Sequence, residues 1–275
     1  MSHLRRPIGV FDSGVGGLTV LKELRASLPG ERFLYLGDTA RVPYGTKDPS
    51  TVERYALQIA RRLEGEGCKA IVVACNTASA MAIDALRRDL SLPVIDVIAP
   101  LCADPHLAEA TRQPVAVLGT RGTVRSGAYL QRLTQRFPGR TILQQACPLF
   151  VPLVEEGWAD TPIAREVAGI YLRELLAGGD FHHLILGCTH YPRLRGSLSA
   201  ALAALGKEAV AVHESGPATA KALRDALAAA ELLATPGEPV DDPLRVVVTD
   251  NPGAFVELAA SLLGVAVPHA EHIDL

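Results

Sequence analysis

Two cysteines of this chain stand in matching surroundings. Cys75 follows Ile71-Val72-Val73-Ala74 and precedes Asn76-Thr77; Cys188 follows Leu184-Ile185-Leu186-Gly187 and precedes Thr189-His190. Each is reached through a short apolar run and one small residue. The run reads as a buried parallel strand, and the polar tail as a loop that opens a helix. Thiols placed this way lie at the carboxyl ends of strands, where open α/β sheets build their sites. Such a pair can act as acid and base on the two sides of one carbon. The other three cysteines, Cys68, Cys102 and Cys147, read as small buried apolar residues.

Further candidates flank strand ends. Asp12-Ser13-Gly14-Val15-Gly16-Gly17 lies between a strand and a helix. Its glycines let N–H groups gather at a helix N-terminus, which suits a carboxylate or phosphate. The plainer reading is a tight turn with Asp12 or Ser13 as the helix cap. The spacing does not match G-x-G-x-x-G and no Walker lysine follows, so a nucleotide is disfavoured. Gly37-Asp38-Thr39 and Pro43-Tyr44-Gly45 share a long loop after the second strand, and such loops often line sites. Asn76, Thr77 and Thr189 offer amide and hydroxyl groups to a carboxylate or amine, or cap helices. His190 could stabilise the Cys188 thiol or relay its proton, or be structural. Glu155 and Glu156 follow the apolar Leu149–Val154 run. Neighbouring acids cannot both face one site, so one is a solvated charge.

These residues need a scaffold, and the apolar pattern supplies one. Strands are predicted at Pro7–Phe11, Phe33–Leu36, Ile71–Ala74, Pro93–Ile98, from Val115, at Leu184–Leu186, Val210–Val212 and Val246–Val248. Between them run helical periodicities: Leu18 to Leu28, a helix opened by a Ser50/Glu53 capping box, Thr77–Leu90, one from Thr161-Pro162 to about Leu176, and a last one from Asn251-Pro252. Strands alternating with helices imply an α/β fold of mostly parallel sheets flanked by helices. The two halves are weakly alike. Asp12-Ser13-Gly14 has a counterpart in Gly119–Thr123, and the Cys75 loop has one at Cys188, 113 residues on. Two similar units facing each other across a cleft would account for this, with crossovers at Pro100–Pro114 and Gly206–Pro217.

Composition sets the outer limits. With 275 residues, 48% of them apolar, the chain can hold one large core or two medium ones. The net charge of −3 and basic runs no longer than pairs such as Arg61-Arg62 and Arg87-Arg88 argue against a nucleic-acid partner. No apolar stretch approaches the ~18 residues of a membrane span. The start, Met1-Ser2-His3-Leu4-Arg5-Arg6, has no secretory pattern, so a soluble, cytoplasmic protein is expected. Five cysteines without a C-x-x-C leave no case for a disulfide framework or a structural zinc site.

With these residues in view, the chain resembles the glutamate racemases of the aspartate/glutamate racemase superfamily. The resemblance rests on Phe11–Val20, Gly37-Asp38-Thr39, Val42-Pro43-Tyr44-Gly45, Ala74–Ser79, Leu118–Thr123, Pro148–Glu155 and, most specifically, Gly187-Cys188-Thr189-His190-Tyr191-Pro192. Ser215-Gly216 and Val248–Pro252 extend it through the tail. One departure is Ala99, where the family often carries Glu; it lies near the crossover, and no loss of chemistry is expected. The resemblance implies two α/β domains, residues 1–98 with 212–275 and residues 99–211, with the site between them. It implies no cofactor, no metal and a small amino-acid substrate, glutamate, with a homodimer as the candidate assembly and a role in supplying D-glutamate for cell-wall peptidoglycan. It also implies Cys75 and Cys188 as the acid/base pair, assisted by Asp12, His190 and Glu155. Asp12, Ser13, Pro43, Tyr44, Gly45, Asn76, Thr77, Thr120, Thr123, Thr189 and His190 would be the substrate contacts.

Other readings share parts of this pattern. A pyridoxal-phosphate racemase needs a Schiff-base lysine, and none of Lys22, Lys47, Lys69, Lys207 and Lys221 sits in a recognisable motif. An aspartate or hydantoin racemase would use the same two thiols. A non-catalytic binder of small ligands would need neither.

Overall fold

The computed structural model describes residues 3–109, 113–235, 243–263, 267 and 269–275. Residues 110–112, inside the expected Pro100–Pro114 crossover, and Met1-Ser2 lie outside the described residues. The described strands are β1 (Ile8–Asp12), β2 (Phe33–Gly37), β3 (Ala70–Val73), β4 (Val94–Asp96), β5 (Val115–Gly119), β6 (Ile142–Ala146), β7 (His183–Gly187), β8 (Ala211–His213), β9 (Leu244–Val248) and β10 (Glu271–His272). They form two sheets, one ordered β10-β9-β2-β1-β3-β4 and the other β6-β5-β7-β8. Every pairing is parallel. The helices between them are α1 (Leu18–Ser27), α2 (Pro49–Gly65), α3 (Asn76–Asp89), α4 (Ala99–Cys102), α5 (Pro105–Glu109), α6 (Arg121–Ser126), α7 (Ala128–Arg136), α8 (Phe150–Glu155), α9 (Pro162–Ala177), α10 (Arg195–Ala204), α11 (Ser215–Ala229) and α12 (Pro252–Leu263).

The likeness of the halves takes a concrete form here. Strands β1 to β4 and strands β5 to β8 each lie in the order second, first, third, fourth. The first strand of each set ends at a glycine- or threonine-rich turn, and the third ends at a cysteine. The sheet of β1 to β4 is extended by β9 and β10, from the far end of the chain.

Burial on both faces explains the continuous apolar strands. β1, β2, β3, β5 and β7 are buried at every position. Along β1 and β3 the side chains alternate between two cores. Ile8, Val10, Ala70 and Val72 face a core that continues into Val115–Leu118 and Leu184–Leu186 of the second sheet. Phe11, Ile71 and Val73 face α2 and α3 through Val52, Ala56, Ile59, Ala82 and Leu86. Opening a void there, as in Ile59→Ala, costs ~2–5 kcal/mol.

Several local expectations are corrected. α2 starts at Pro49 with Asp48 as its N-cap and no side-chain cap bond, so Ser50/Glu53 is not a capping box. Proline at the first helical position, with its φ already set, starts this helix instead. The fourth strand stops at Asp96, because the Asp96 carboxylate takes the Ile98 and Ala99 N–H groups at 2.8 and 2.7 Å and turns the chain into α4. β6 and β10 were not expected: the first carries Gln144-Gln145 and is only half-buried, and the second is two residues long. The helix expected from Thr161-Pro162 is present, and Thr161 caps it, its hydroxyl accepting from Ala164 N at 3.2 Å.

Candidate active site

The first thiol sits where α3 begins. Cys75 is the N-cap of α3 in extended conformation, so Asn76 and Thr77 form the first turn rather than capping it. Cys75 is 5% exposed, and its Sγ lies 3.7 Å from Ser13 Oγ. Asp12 ends the neighbouring β1. Its Oδ2 accepts the N–H groups of Gly14 and Gly17 at 3.0 and 3.1 Å. The glycine loop therefore spends two of its N–H groups on its own aspartate, and neither Asp12 nor Ser13 caps α1, whose N-cap is Gly17. Asp12 Oδ1 is buried without a hydrogen-bond partner among the described residues. Burial raises the Asp12 carboxyl above its ordinary range, against the pull of His190 and of the Gly17 and Gly14 donors. Burial, then the Asp12 charge, pushes the Cys75 thiol up to about 12.

The second thiol has different company. Cys188 follows β7 directly, and the chain then passes through a short 3-10 turn, Tyr191–Leu194, before α10 begins. Thr189 therefore opens no helix; its carbonyl accepts from Thr19 Oγ1 at 3.0 Å. Cys188 Sγ lies 3.9 Å from His190 Nδ1, and His190 Nε2 lies 3.0 Å from Glu155 Oε1 at the end of α8. His190 is buried, which works against its charge, but bonding to Cys188 and Glu155 outweighs that and holds the imidazole at about 10. At neutral pH it is a cation. Of the two adjacent acids, Glu155 meets His190 and Glu156 is exposed.

A hydroxyl cluster links the segment after β3 in one sheet to the segment after β5 in the other. Thr77 Oγ1 is 3.0 Å from Thr120 Oγ1 and 3.3 Å from Thr123 Oγ1, and the latter two are 3.0 Å apart. Thr120 is also the N-cap of α6, accepting from Thr123 N at 3.1 Å. The Pro43-Tyr44-Gly45 loop presses on the same cluster: a Cβ at Gly45 would stand 2.8 Å from Thr120 Cβ. Tyr44 is buried with its hydroxyl on Asp38, which also takes Arg41 Nε and Thr249 Oγ1. Asn76 Nδ2 donates to Tyr129 Oη at 2.8 Å.

A profile of the Asp/Glu/Hydantoin racemase family matches residues 9–229, a span that holds both thiols and the Asp12, His190 and Glu155 side chains described above. The chain belongs to this family. Among its relatives, a glutamate racemase of Geobacter metallireducens is 45% identical over 260 residues, covering 94% of this chain and 93% of its own. The crystal structure of the Thermus thermophilus glutamate racemase in complex with beta-chloro-D-alanine is similar with a TM-score of 0.86 at 46% identity, covering 99% and 98% of the two chains. That of the Francisella tularensis glutamate racemase in complex with D-glutamate is similar with a TM-score of 0.89 at 36% identity, covering 98% of each.

In this family member, sequence reasoning reached the thiols and their immediate neighbours but not the contacts that hold them. Gly16 is one such contact: a Cβ there would stand 2.4 Å from His190 Nδ1 and 2.5 Å from Thr189 Oγ1, so only glycine lets the Asp12 loop close against the Cys188 loop. Tyr35, whose hydroxyl donates to Gly14 O at 2.7 Å, and Tyr129 are others. A cavity of about 210 Å³ backs onto Cys188 and Thr189, walled by Thr19, Glu23, Arg193 and Ser215. No sequence signal announces any of these, because each joins segments distant in the chain.

Proposed function

We propose that this chain interconverts L-glutamate and D-glutamate without a cofactor, with Cys75 and Cys188 as paired acid and base. The observation that carries the reading is the placement of the two thiols, each after the third strand of an equivalent four-strand set, with Ser13 and Asp12 beside Cys75 and His190 beside Cys188. Racemisation removes the Cα proton from one face and returns a proton to the other. One thiolate takes the proton, the electron pair remains on Cα as a carbanion beside the carboxylate, and the opposite thiol gives its proton to the other face. The two sulphurs exchange states at each turnover, and no group needs to move around the substrate.

The helpers suit these roles. The His190 cation balances negative charge on Cys188, and Glu155 keeps that imidazole charged and oriented. Asp12, its carboxyl raised by burial, can exchange a proton with Cys75. Ser13, Asn76, Thr77, Thr120, Thr123 and Thr189, with the 43–45 backbone, supply amide, hydroxyl and N–H groups for the substrate's carboxylates and ammonium. Neutralising the α-carboxylate lowers the barrier to carbanion formation. The proposal also includes a two-domain division, with the chain leaving the first domain near residue 98 and returning near residue 212. It includes D-glutamate supply for peptidoglycan, cytoplasmic residence, which five free cysteines fit, and a homodimer, for which Leu149, Trp158 and Ile163 offer exposed apolar surface.

The test is the circular dichroism of pure protein with D- or L-glutamate and no additive. Both should decay to the same optically inactive mixture. A static signal with glutamate, or decay only with aspartate or a hydantoin, would overturn the substrate assignment.

A further inference from the structure

Tyr129 lies outside both thiol loops yet touches the flank of each. It sits on α7, fully buried. Its hydroxyl accepts from Nδ2 of Asn76, the residue after Cys75, at 2.8 Å. Its ring packs on the residue before Cys188: a Cβ at Gly187 would stand 3.0 Å from Tyr129 Cε2. Asn76 is 2% exposed, and its Oδ1 is buried without a hydrogen-bond partner among the described residues. A buried acceptor left over in this way is rare in proteins and points to a partner that arrives from outside.

An asparagine amide presents two donors at one end and an acceptor at the other, and rotation by half a turn exchanges them. We infer that Tyr129 is a positioning residue which, by holding the NH₂ end of Asn76, fixes Oδ1 as an acceptor for the substrate's ammonium group. This rests on the reading that an amino acid binds beside Cys75. Without the hydroxyl, the amide is free to turn its donors toward the ammonium, and like meets like. The same ring, wedged against Gly187, keeps that acceptor in register with the second thiol.

Asn76 would bind ground state and transition state alike, so the effect falls on KM rather than kcat. Tyr129→Phe keeps the ring and its packing. It should raise KM for both enantiomers roughly two- to tenfold, the usual range for one hydrogen bond, with kcat little changed. In an Asn76→Ala background the same substitution should leave KM unaltered, because the group it acts through is gone. An unchanged KM in Tyr129→Phe, or effects that multiply in the double variant, overturns the inference. A second readout does not depend on activity. In ¹⁵N-labelled wild-type protein the Asn76 side-chain amide, assigned by its loss in Asn76→Ala, should be protected from hydrogen exchange. If the protein racemises no glutamate, the functional reading falls by itself, and this resonance still decides: exchange at the solvent rate overturns the role of Tyr129.

Discussion

His190 Nε2 lies 3.0 Å from Glu155 Oε1, which leaves Nδ1 as the nitrogen that meets the Cys188 sulphur. Both ring nitrogens thus face groups that carry negative charge when ionised. An imidazole in that position is charged at neutral pH despite its burial. Among the described residues no such cation stands beside Cys75; its neighbours are the Ser13 hydroxyl, the Asp12 carboxyl and the Ala78 N–H. The two ends of the site are chemically unlike, and the predictions below follow from that contrast.

Cys75→Ala and Cys188→Ala should each abolish racemisation, since each face of Cα then lacks its proton carrier. Glutamate should also protect Cys75 and Cys188 of the wild type from alkylation and raise its melting temperature by mass action. Cys68, Cys102 and Cys147 should gain no comparable protection. Peptide mapping after alkylation reads the second outcome; shielding of the other three alone would place the substrate elsewhere.

The folded protein holds His190 at about 10, above the ~6.5 of an unfolded chain. The stability this contributes is complete below pH ~6.5 and is lost as pH rises through the folded value. His190→Asn should therefore lose the alkaline fall: the gap between wild-type and variant melting temperatures narrows from pH 6.5 to 10. Parallel curves over that window would remove His190 from this role.

Asp12 shows linkage of the same sign for a different reason: its charged form is the one that burial disfavours. Its carboxyl is raised by burial, so ionisation above pH ~3.9 favours the unfolded chain. Asp12→Asn should melt at the wild-type temperature or higher at neutral pH, while kcat falls by the ~10²–10⁴ typical of a lost acid or base. A variant that is both less stable and fully active would make Asp12 merely structural.

Gly16→Ala introduces a methyl group 2.4 Å from the His190 ring. Overpacking of this kind costs ~1–3 kcal/mol. Relieving the clash moves the ring or its loop, the Cys188–His190 contact lengthens, and kcat should fall. Normal kinetics in Gly16→Ala would show that the two loops tolerate separation.

Much of the layout was legible because the signal was local. An apolar run, a small residue and a cysteine recur at Cys75 and Cys188, and burial on both faces of a parallel sheet forces such runs. The helix start at Thr161-Pro162 and the likeness of the two halves were readable for the same reason. β6 was not, since its glutamines break the apolar pattern on a half-buried edge. The Ser50/Glu53 signature misled because Asp48-Pro49 starts the helix first. Tyr129 and the fit of Gly16 against His190 escaped for a deeper reason. Each depends on a neighbour that only the closed chain brings within reach.

The repeated strand order bears on rates as well as on shape. Mirror-image substrates have equal free energy, so the equilibrium constant between them is unity, and kcat/KM must be the same in both directions. Two equivalent strand sets meet that requirement in outline, but the proposed helpers differ, Asp12 near Cys75 and His190 with Glu155 near Cys188. Any difference that these helpers impose on kcat must be matched by an equal difference in KM. The enantiomer that is turned over faster must therefore be the one with the proportionately higher KM.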